Sequence, residues 1–184
     1  MEYHLNLPIS EKEIEKLAAG DILYLTGNIF TARDQTHKIL LKKNKKNIPF
    51  NPSEMALFYC GPLIKKENDK WIVLSAGPTT SSRMESFESK FIEKFNVRII
   101  IGKGYMGKKT EKTLSKKKGI YAVFTGGAGA LAADKIEEVL NVYFLKELGM
   151  TEAVWVFKVK DFGPLIVAID SHNRSIFKKH KNLI

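Results

Sequence analysis

Two segments of the chain join an apolar run to a helical pattern, and each combines glycine with a cationic side chain. The first runs Gly77-Pro-Thr-Thr-Ser-Ser-Arg83, and the second runs Gly102-Lys-Gly-Tyr-Met-Gly107. Glycine turns at helix N-termini present backbone N–H groups and the positive end of the helix dipole to an anion. If the two apolar runs are neighbouring parallel strands, both turns open at the same sheet edge, where ligands of open α/β folds bind. The two segments therefore predict a site for a small anion.

The second segment imitates two nucleotide-binding motifs without meeting the full requirement of either. Residues 102–107 satisfy G-x-G-x-x-G between a strand and a helix, but no acid follows the next predicted strand, 120–124, to bind a ribose. As a P-loop, the segment has Lys109 where Ser or Thr would hold Mg²⁺, and a Walker-B-like acid is also missing. A nucleotide- or phosphate-binding module without catalysis, using residues 102–107, is kept as the alternative function.

Simpler explanations are open for both cations. On spacing alone, Lys103 is equally compatible with a surface lysine. Arg83 is compatible with a solvated residue in a first helical turn, with Ser81 or Ser82 as the N-cap. An arginine is mismatched there because the helix dipole prefers an acid, and a ligand carboxylate would remove that mismatch.

Length and composition bound the class of protein. The 184 residues are 44% hydrophobic and 27% charged, which predicts one globular domain, 1–184. The formal net charge of +10 would suit nucleic acid or another anionic partner. Much of this charge lies in lysine clusters typical of solvated surface, and no RNP motif, zinc finger or basic zipper accompanies them. Nucleic acid is therefore an unlikely partner.

A single cysteine, Cys60, rules out an internal disulfide and cannot by itself hold a zinc or iron–sulfur centre. We predict no metal site in this chain and interpret Cys60 as a small buried residue at a strand end. No apolar run approaches the length of a membrane span, and the start Met-Glu-Tyr-His does not resemble a signal peptide. We therefore expect a cytoplasmic protein without membrane contact.

The elements that must position these residues follow from hydrophobic periodicity. The pattern predicts a mixed α/β order with a central β/α alternation flanked by strands that pair at short range. The fold class is α/β, with a mixed, partly parallel sheet, packed helices and a second layer of strands. Strands are predicted at 3–7, 22–25, 56–60, 71–76, 97–101, 120–124, 154–159 and 165–169, and helices up to Gly20, around 39–41, and at 82–95, 108–117 and 136–148.

Three motifs in order carry a family resemblance. They are Thr31-Ala-Arg-Asp-Gln-Thr-His37, Gly77-Pro-Thr-Thr-Ser-Ser-Arg-Met84 and Gly102-Lys-Gly-Tyr-Met-Gly107, with Thr125-Gly-Gly-Ala-Gly-Ala130 and Lys160-Asp-Phe-Gly-Pro164 downstream. Together they resemble the β subunit of class I fumarate hydratases and L-tartrate dehydratases, which is also the C-terminal domain of single-chain class I fumarases. The resemblance covers essentially the whole chain.

The resemblance implies a swivelling β/β/α domain and the reversible hydration and dehydration of a C4 dicarboxylate. By motif position, Thr79 corresponds to the catalytic base that removes the C3 proton. Arg33, Arg83 and Lys103 correspond to the substrate-binding cations. Asp34 and His37 are carried as supporting groups behind these contacts. From the residues alone, helix capping would be the preferred role for Thr79.

The chemistry of the residue types agrees with these roles. A dianion needs cations at both ends, and the planar fork of arginine suits a carboxylate held at two points. A threonine is a poor base, so it needs cationic neighbours and hydrogen-bond donors that make its alkoxide accessible.

The resemblance also implies a partner. In the family, the leaving hydroxyl is activated by a [4Fe–4S] cluster held by three cysteines, whereas this chain has one. We therefore expect the cluster in a separate α subunit, an α2β2 hetero-oligomer, and no activity from this chain alone. The departures Thr36, where Ala is more usual, and Asp170-Ser-His-Asn-Arg174 leave open local turn geometry and substrate preference.

Overall fold

A seven-stranded mixed sheet organises the computed structural model, which describes residues 1–177. The last residues of the predicted 1–184 domain lie outside the described range. The strands are β1 (Glu2–Asn6), β2 (Ile22–Thr31), β3 (Ala56–Phe58), β4 (Leu63–Glu67), β5 (Lys70–Ser75), β6 (Ile99–Gly102), β7 (Ile120–Phe124), β8 (Ile136–Tyr143) and β9 (Val154–Ile169). The helices are α1 (Glu11–Ile14), α2 (Asp34–Lys42), α3 (Glu85–Phe95), α4 (Lys108–Lys117), α5 (Gly129–Asp134) and α6 (Leu145–Leu148). Short 3₁₀ turns cover Lys45–Asn47, Pro52–Glu54 and Ser81–Met84.

The strand order is β1-β2-β3-β6-β7-β9-β8, and β9 also pairs with β2. Strands β1, β2, β3, β6 and β7 are parallel, whereas β9 runs antiparallel to β2, β7 and β8. The pairings among β2, β3, β6, β7 and β9 close a ring. This arrangement confirms the predicted mixed, partly parallel sheet with packed helices.

Two apolar clusters cover the faces of the ring strands. One joins alternate strand residues to the buried faces of α2, α3 and α4, including Leu40, Phe91 and Leu114. The other contains the opposite set of strand residues, with α1 and the inner face of the β4–β5 hairpin packed against it. Because β6 is buried on both faces, its sequence Ile-Ile-Ile-Gly is apolar throughout, as the prediction for 97–101 required.

The predicted helix 136–148 is wrong. Residues 136–143 form strand β8 along β9, and only Leu145–Leu148 is helical. The periodicity predicted a helix because the apolar residues of this segment have helical spacing. They are Ile136, Val139, Leu140 and Tyr143. Register shifts between Ile136 and Glu138 and between Val139 and Asn141 explain the pattern, because bulges interrupt the two-residue alternation of a strand.

Two further expectations about strands need correction. The predicted strands 154–159 and 165–169 are parts of one strand, β9, which continues through the residues between them, including Asp161 (φ 46°). There the Asp161 N–H donates to the Thr26 hydroxyl, and the pairing with β2 shifts register. Residues 63–67, where no strand was predicted, form β4, which pairs with β5 in a separate two-stranded sheet.

The shared sheet edge was predicted on the condition that the strands before the two glycine segments are neighbours, and this condition is not met. Strand β5 is not a neighbour of β6, because β5 lies in the hairpin. The loop after β5 nevertheless reaches the edge of the main sheet. It is held there by isolated bridges from Pro78 to Cys60 and from Thr80 to Lys103.

Candidate active site

Three neighbouring parallel strands, β2, β3 and β6, end at the edge of the sheet where the predicted site residues lie. Arg33 follows the end of β2, Tyr59 follows β3, and Lys103 follows β6. The loop carrying Thr79 crosses this edge, with the Thr79 N–H donating to the Tyr59 carbonyl at 2.7 Å. The carboxyl ends of parallel strands are where open α/β sheets bind ligands, so this edge is the candidate site.

Arg33 is held in a partly buried position at the start of α2. Its Nε lies 3.6 Å from Glu152 Oε1, and the two side chains are 20% and 15% exposed. The guanidinium packs over Gly61, where an added Cβ would lie 2.5 Å from Nη1. Glu152 also accepts from the backbone N–H groups of Gln35 and Thr36, so it both caps α2 and orients Arg33. The Thr36 hydroxyl donates to the Glu152 carbonyl, which gives this departure from the family pattern a structural role.

Arg83 is paired with a carboxylate of this chain. Its Nη2 donates to Asp34 Oδ2 at 2.7 Å, and the two side chains are 49% and 19% exposed. The sequence argument expected a ligand carboxylate beside Arg83, and in the structure Asp34 of this chain provides that carboxylate. Because only one guanidinium nitrogen is used in this pair, the half-exposed fork retains donors that face solvent.

His37 forms a buried polar pair behind Arg33. Its Nδ1 lies 2.7 Å from the Arg33 carbonyl and its Nε2 lies 3.0 Å from Glu88 Oε2, and both side chains are fully buried. A carbonyl only accepts, so Nδ1 is the donor in its bond to Arg33, and Nε2 faces the Glu88 carboxyl group. The ring centroid lies 4.6 Å from that of Phe91. His37 thus ties the backbone of Arg33 to α3.

Thr79 and Lys103 have the most available functional groups at the edge. Within residues 1–177, the Thr79 hydroxyl and the Lys103 ammonium make no hydrogen bond or ion pair. Their backbones are fixed, since Thr79 bonds to Tyr59 and Thr80 bridges to Lys103. The structure therefore brings a free hydroxyl and a free ammonium together on neighbouring loops.

The N-terminus of α4 is already occupied by Glu85. Its carboxylate accepts from the Gly107 N–H at 2.8 Å, the Thr110 N–H at 3.3 Å and the Thr110 hydroxyl at 2.8 Å. The Lys103 N–H is likewise used, by the Ser81 hydroxyl oxygen at 3.0 Å. The expectation that these amides face an external anion is therefore wrong, and the nucleotide alternative loses its main physical support.

Several of these contact residues were missed by the sequence argument. Glu85, Glu88 and Glu152 belong to no recognised motif, and only the fold brings them to the site. The same holds for Tyr121, whose hydroxyl oxygen lies 2.8 Å from Ser81 Oγ. Ser81 was considered solely as an N-cap. In the structure the 3₁₀ turn begins after Thr80 without a side-chain cap, and Ser81 bonds to the Lys103 loop instead.

The residues present do not fit an iron–sulfur cluster in this chain. No group of three His, Cys, Asp or Glu side chains in the described range is placed to hold a metal ion. Burial raises the pKa of the Cys60 thiol, and the nearby charge of Arg33 only partly opposes this effect. A buried, protonated thiol is a poor metal ligand.

In the described part of the chain, every helix is too short or too polar to traverse a bilayer.

A cavity of about 550 Å³ lies away from this edge, between the β4–β5 hairpin and β8. Its lining includes Trp71, Glu137 and Lys158 but none of Arg33, Thr79, Arg83 or Lys103. The candidate site is instead an open edge with two paired arginines, a free ammonium and a free hydroxyl. Chemically, such an edge suits one face of a small dianion and leaves the opposite face uncovered.

These features define an α/β protein with a cation-lined site at the carboxyl ends of its parallel strands. The chain belongs to the Fumarase C-terminus family, whose family model matches residues 1–180. It is 48% identical over 182 residues to the putative L(+)-tartrate dehydratase subunit beta of Methanocaldococcus jannaschii, covering 97% of this chain and 92% of the relative. The L(+)-tartrate dehydratase subunit beta of Escherichia coli K12 is 43% identical over 183 residues, covering 100% and 90%.

A third relative has a different length. The putative fumarate hydratase class I of Geobacillus stearothermophilus is 40% identical over 173 residues, which cover 94% of this chain but 33% of that protein. The family resemblance derived from the three motifs is thereby confirmed. It extends to separate β subunits and to one part of a longer fumarate hydratase.

Proposed function

We propose that this chain is the β subunit of an iron–sulfur-dependent hydro-lyase that reversibly hydrates and dehydrates a C4 dicarboxylate. The candidate reactions are fumarate to malate and L-tartrate to oxaloacetate. The observation that carries the proposal is the arrival of Arg33, Thr79, Arg83 and Lys103 at one sheet edge. The kinship with tartrate dehydratase β subunits and a class I fumarate hydratase supports it.

Substrate binding rests on the two arginines. Arg33 is the N-cap residue of α2 and is paired with Glu152. Arg83 lies on the 3₁₀ turn Ser81–Met84 and is paired with Asp34, the first residue of α2. Each pairing uses part of a guanidinium and holds the remainder in place, so less side-chain entropy is lost when a carboxylate binds. In the proposal each arginine takes one substrate carboxylate. Asp34 and His37 hold these arginines through side chain and backbone respectively.

Thr79 is the proposed base for the C3 proton. Its hydroxyl is free of internal hydrogen bonds within the described range, so no bond has to be broken before it meets substrate. In the dehydration direction the C3 proton moves to the Thr79 oxygen while the C2 hydroxyl departs. The Thr79 oxygen must first release its own proton to solvent water, and the positive charge of Lys103 on the adjacent loop favours the resulting alkoxide.

The remaining chemistry is assigned to a partner. A [4Fe–4S] cluster in an α subunit would activate the departing hydroxyl as a Lewis acid. This chain supplies substrate binding, orientation and the base, and by itself is inactive. A cytoplasmic α2β2 assembly, and the swivelling β/β/α description of this domain, are part of the same proposal.

Exposed apolar side chains around the site support the presence of a partner protein. Seven large apolar residues are exposed within residues 1–177, and five of them lie on the β4–β5 hairpin, on α5 or in the loop after β6. Leu63, Ile72 and Leu74 lie on the β4–β5 hairpin that leads to Thr79, Leu131 lies on α5, and Tyr105 lies two residues beyond Lys103. The outer hairpin face carries these three apolar residues beside the charged Lys65, Glu67 and Lys70, although its inner face is already packed. Grouped exposed apolar residues with polar neighbours are typical of a protein interface.

The test is co-expression of the chain with an α-type subunit that carries three cluster-binding cysteines. The expected product is an oxygen-sensitive brown complex that hydrates fumarate or dehydrates L-tartrate, whereas each subunit alone is inactive. In the active complex, Thr79→Val should lower kcat by about 10²- to 10⁴-fold, the usual contribution of a positioned base. Thr80→Val, at an exposed neighbour without a side-chain cap bond, is the control and should retain activity.

A cluster-loaded complex that is inactive on every dicarboxylate tried would overturn the proposal. The partner surface has its own test, in which Ile72→Asp should weaken co-purification of the two subunits. Ile166→Asp is the matched control, because the two isoleucines are 37% and 39% exposed and Ile166 lies on β9 outside the hairpin. Equal recovery of complex with both variants would remove the hairpin from the interface.

A further inference from the structure

Ser81 joins the two loops that carry the proposed catalytic and substrate-binding groups. It lies between Thr79 and Arg83, and its side chain is fully buried. Its N–H donates to the Lys103 carbonyl at 3.1 Å, and its hydroxyl oxygen accepts from the Lys103 N–H at 3.0 Å. One residue therefore satisfies both backbone groups of Lys103.

Tyr121 completes this connection from beneath the loops. It projects from β7, is fully buried, and places its hydroxyl oxygen 2.8 Å from Ser81 Oγ and 2.9 Å from the Gly104 carbonyl. The Gly104 carbonyl can only accept, so the single tyrosine proton goes to Gly104. The Ser81 hydroxyl then donates to the tyrosine oxygen. The result is a chain of hydrogen bonds from the Lys103 N–H through Ser81 and Tyr121 to Gly104, in which each bond polarises the next.

Gly102, at the end of β6, packs closely against this chain of hydrogen bonds. An added Cβ at Gly102 would lie 2.0 Å from Ser81 Oγ and 2.8 Å from Tyr59 Cδ2. The first glycine of the nucleotide-like motif is thus required by the approach of Ser81, and no bound phosphate is needed to explain it. Burial also raises the pKa of the Tyr121 hydroxyl, and the hydrogen bond from Ser81 only partly opposes this, so the group remains a donor at neutral pH.

We propose that Ser81 and Tyr121 are positioning residues that hold Lys103 at a fixed place relative to Thr79 and Arg83. The proposal rests on the proposed function for what the loops bind, but the fixing of the loops can be measured without substrate. Neither residue reaches the ligand side of the edge. They act through the backbone of the Lys103 loop.

The test uses Tyr121→Phe, which removes one hydroxyl and keeps the buried ring, in the co-expressed complex. Tyr143→Phe is the control, because Tyr143 lies on β8 and its ring stacks on Phe50 at 5.5 Å. Hydrogen exchange measured by mass spectrometry should be faster in peptides covering 101–107 in Tyr121→Phe and unchanged there in Tyr143→Phe. Exchange elsewhere in the sheet should stay at the wild-type rate.

The kinetic expectation is a fall in kcat of about 10- to 100-fold, because small displacements of positioned groups have effects of this size. KM should change less than kcat, because Lys103 is only one of three substrate-binding cations and the other two, Arg33 and Arg83, are not bonded to Tyr121. The double variant Ser81→Ala with Tyr121→Phe should be no worse than Ser81→Ala alone, because both substitutions interrupt the same chain of hydrogen bonds.

Exchange and kcat in Tyr121→Phe that match those of Tyr143→Phe would overturn the proposal, as would fully additive effects in the double variant. If Ser81→Ala does not fold, the comparison of Tyr121→Phe with Tyr143→Phe still decides. If the wild-type complex is inactive on every dicarboxylate, the proposed function fails, while the exchange measurement continues to test whether these residues hold the loop.

Discussion

Glu85 offers the sharpest test of how the glycine loop is built. Its carboxylate accepts two N–H groups and one hydroxyl at the start of α4, from Gly107 and Thr110. Replacing a capping side chain by alanine typically costs about 1 kcal/mol, and losing an acid from a helix N-terminus costs about 0.5–1 kcal/mol. We therefore expect Glu85→Ala to lower the free energy of unfolding by about 2 kcal/mol. For a chain of this length the melting temperature should fall by about 4–8 °C.

The measurement is urea unfolding of the isolated chain, followed by circular dichroism, with the slope m unchanged and the midpoint lowered. Glu85→Gln keeps an acceptor and loses the charge, so it should lose about half as much free energy. Glu93→Ala is the control on the same helix, because its only described contact is an exposed ion pair with Lys116 at 3.8 Å. A loss in Glu85→Ala no greater than in Glu93→Ala would refute the assignment of Glu85 as the cap of α4.

Three other substitutions or reactions test further parts of the structure. Glu88→Leu should cost about 1–3 kcal/mol because it leaves the buried His37 Nε2 without a hydrogen-bond partner, whereas Glu88→Gln can donate to Nε2 and should cost clearly less. Equal losses in urea unfolding would contradict this pairing. For Asp170, burial alone would raise the pKa, but hydrogen bonds from Arg174, Ala19 and His172 outweigh it and lower the pKa. The stability that Asp170 contributes is therefore present above its unfolded-state pKa and is lost as pH falls through the lowered folded-state pKa. At pH 7, Asp170→Asn should lower the free energy of unfolding by about 1–3 kcal/mol, and this loss should shrink on acidification. A loss that stays constant down to pH 3 would contradict the prediction. Because burial raises the pKa of Cys60, a thiol reagent at pH 8 should modify it far more slowly in the native chain than in urea, and equal rates would show that it is accessible.

The elements that sequence patterns predicted correctly are those with a strong local signal. Helix α4 and strand β7 were predicted at residues 108–117 and 120–124, as observed, and the apolar run before Gly102 is the strand buried on both faces. The pattern failed at β8, where two register shifts disguise a strand as a helix, and at β9, where Asp161-Phe-Gly-Pro164 is absorbed into a continuous strand. Bulges depend on the partner strand, so local periodicity does not encode them.

For the site, the motifs identified the residues but did not show which of their groups are already hydrogen-bonded or ion-paired within the chain. Arg33, Thr79, Arg83 and Lys103 were chosen by motif position, and the structure places all of them at one edge. The sequence argument predicted that an external anion binds at the α4 N-terminus and that a ligand carboxylate binds beside Arg83. In the structure these places are taken by Glu85 and Asp34. The shared edge itself arises through bridges to the loop after β5, because β5 is not a neighbour of β6.

The sequence by itself determined which chemical groups this protein possesses: two arginines, a lysine and a threonine in recognisable order, and too few cysteines for a cluster of its own. Only the tertiary structure decided which of these groups are free. Glu85 reaches Gly107 across 22 positions, Arg83 reaches Asp34 across 49, and His37 reaches Glu88 across 51. Whether two groups so far apart in the sequence form a hydrogen bond depends on how the strands and loops are brought together. No local sequence pattern specifies this. That is why Thr79 and Lys103 emerge as available groups only once the chain is folded.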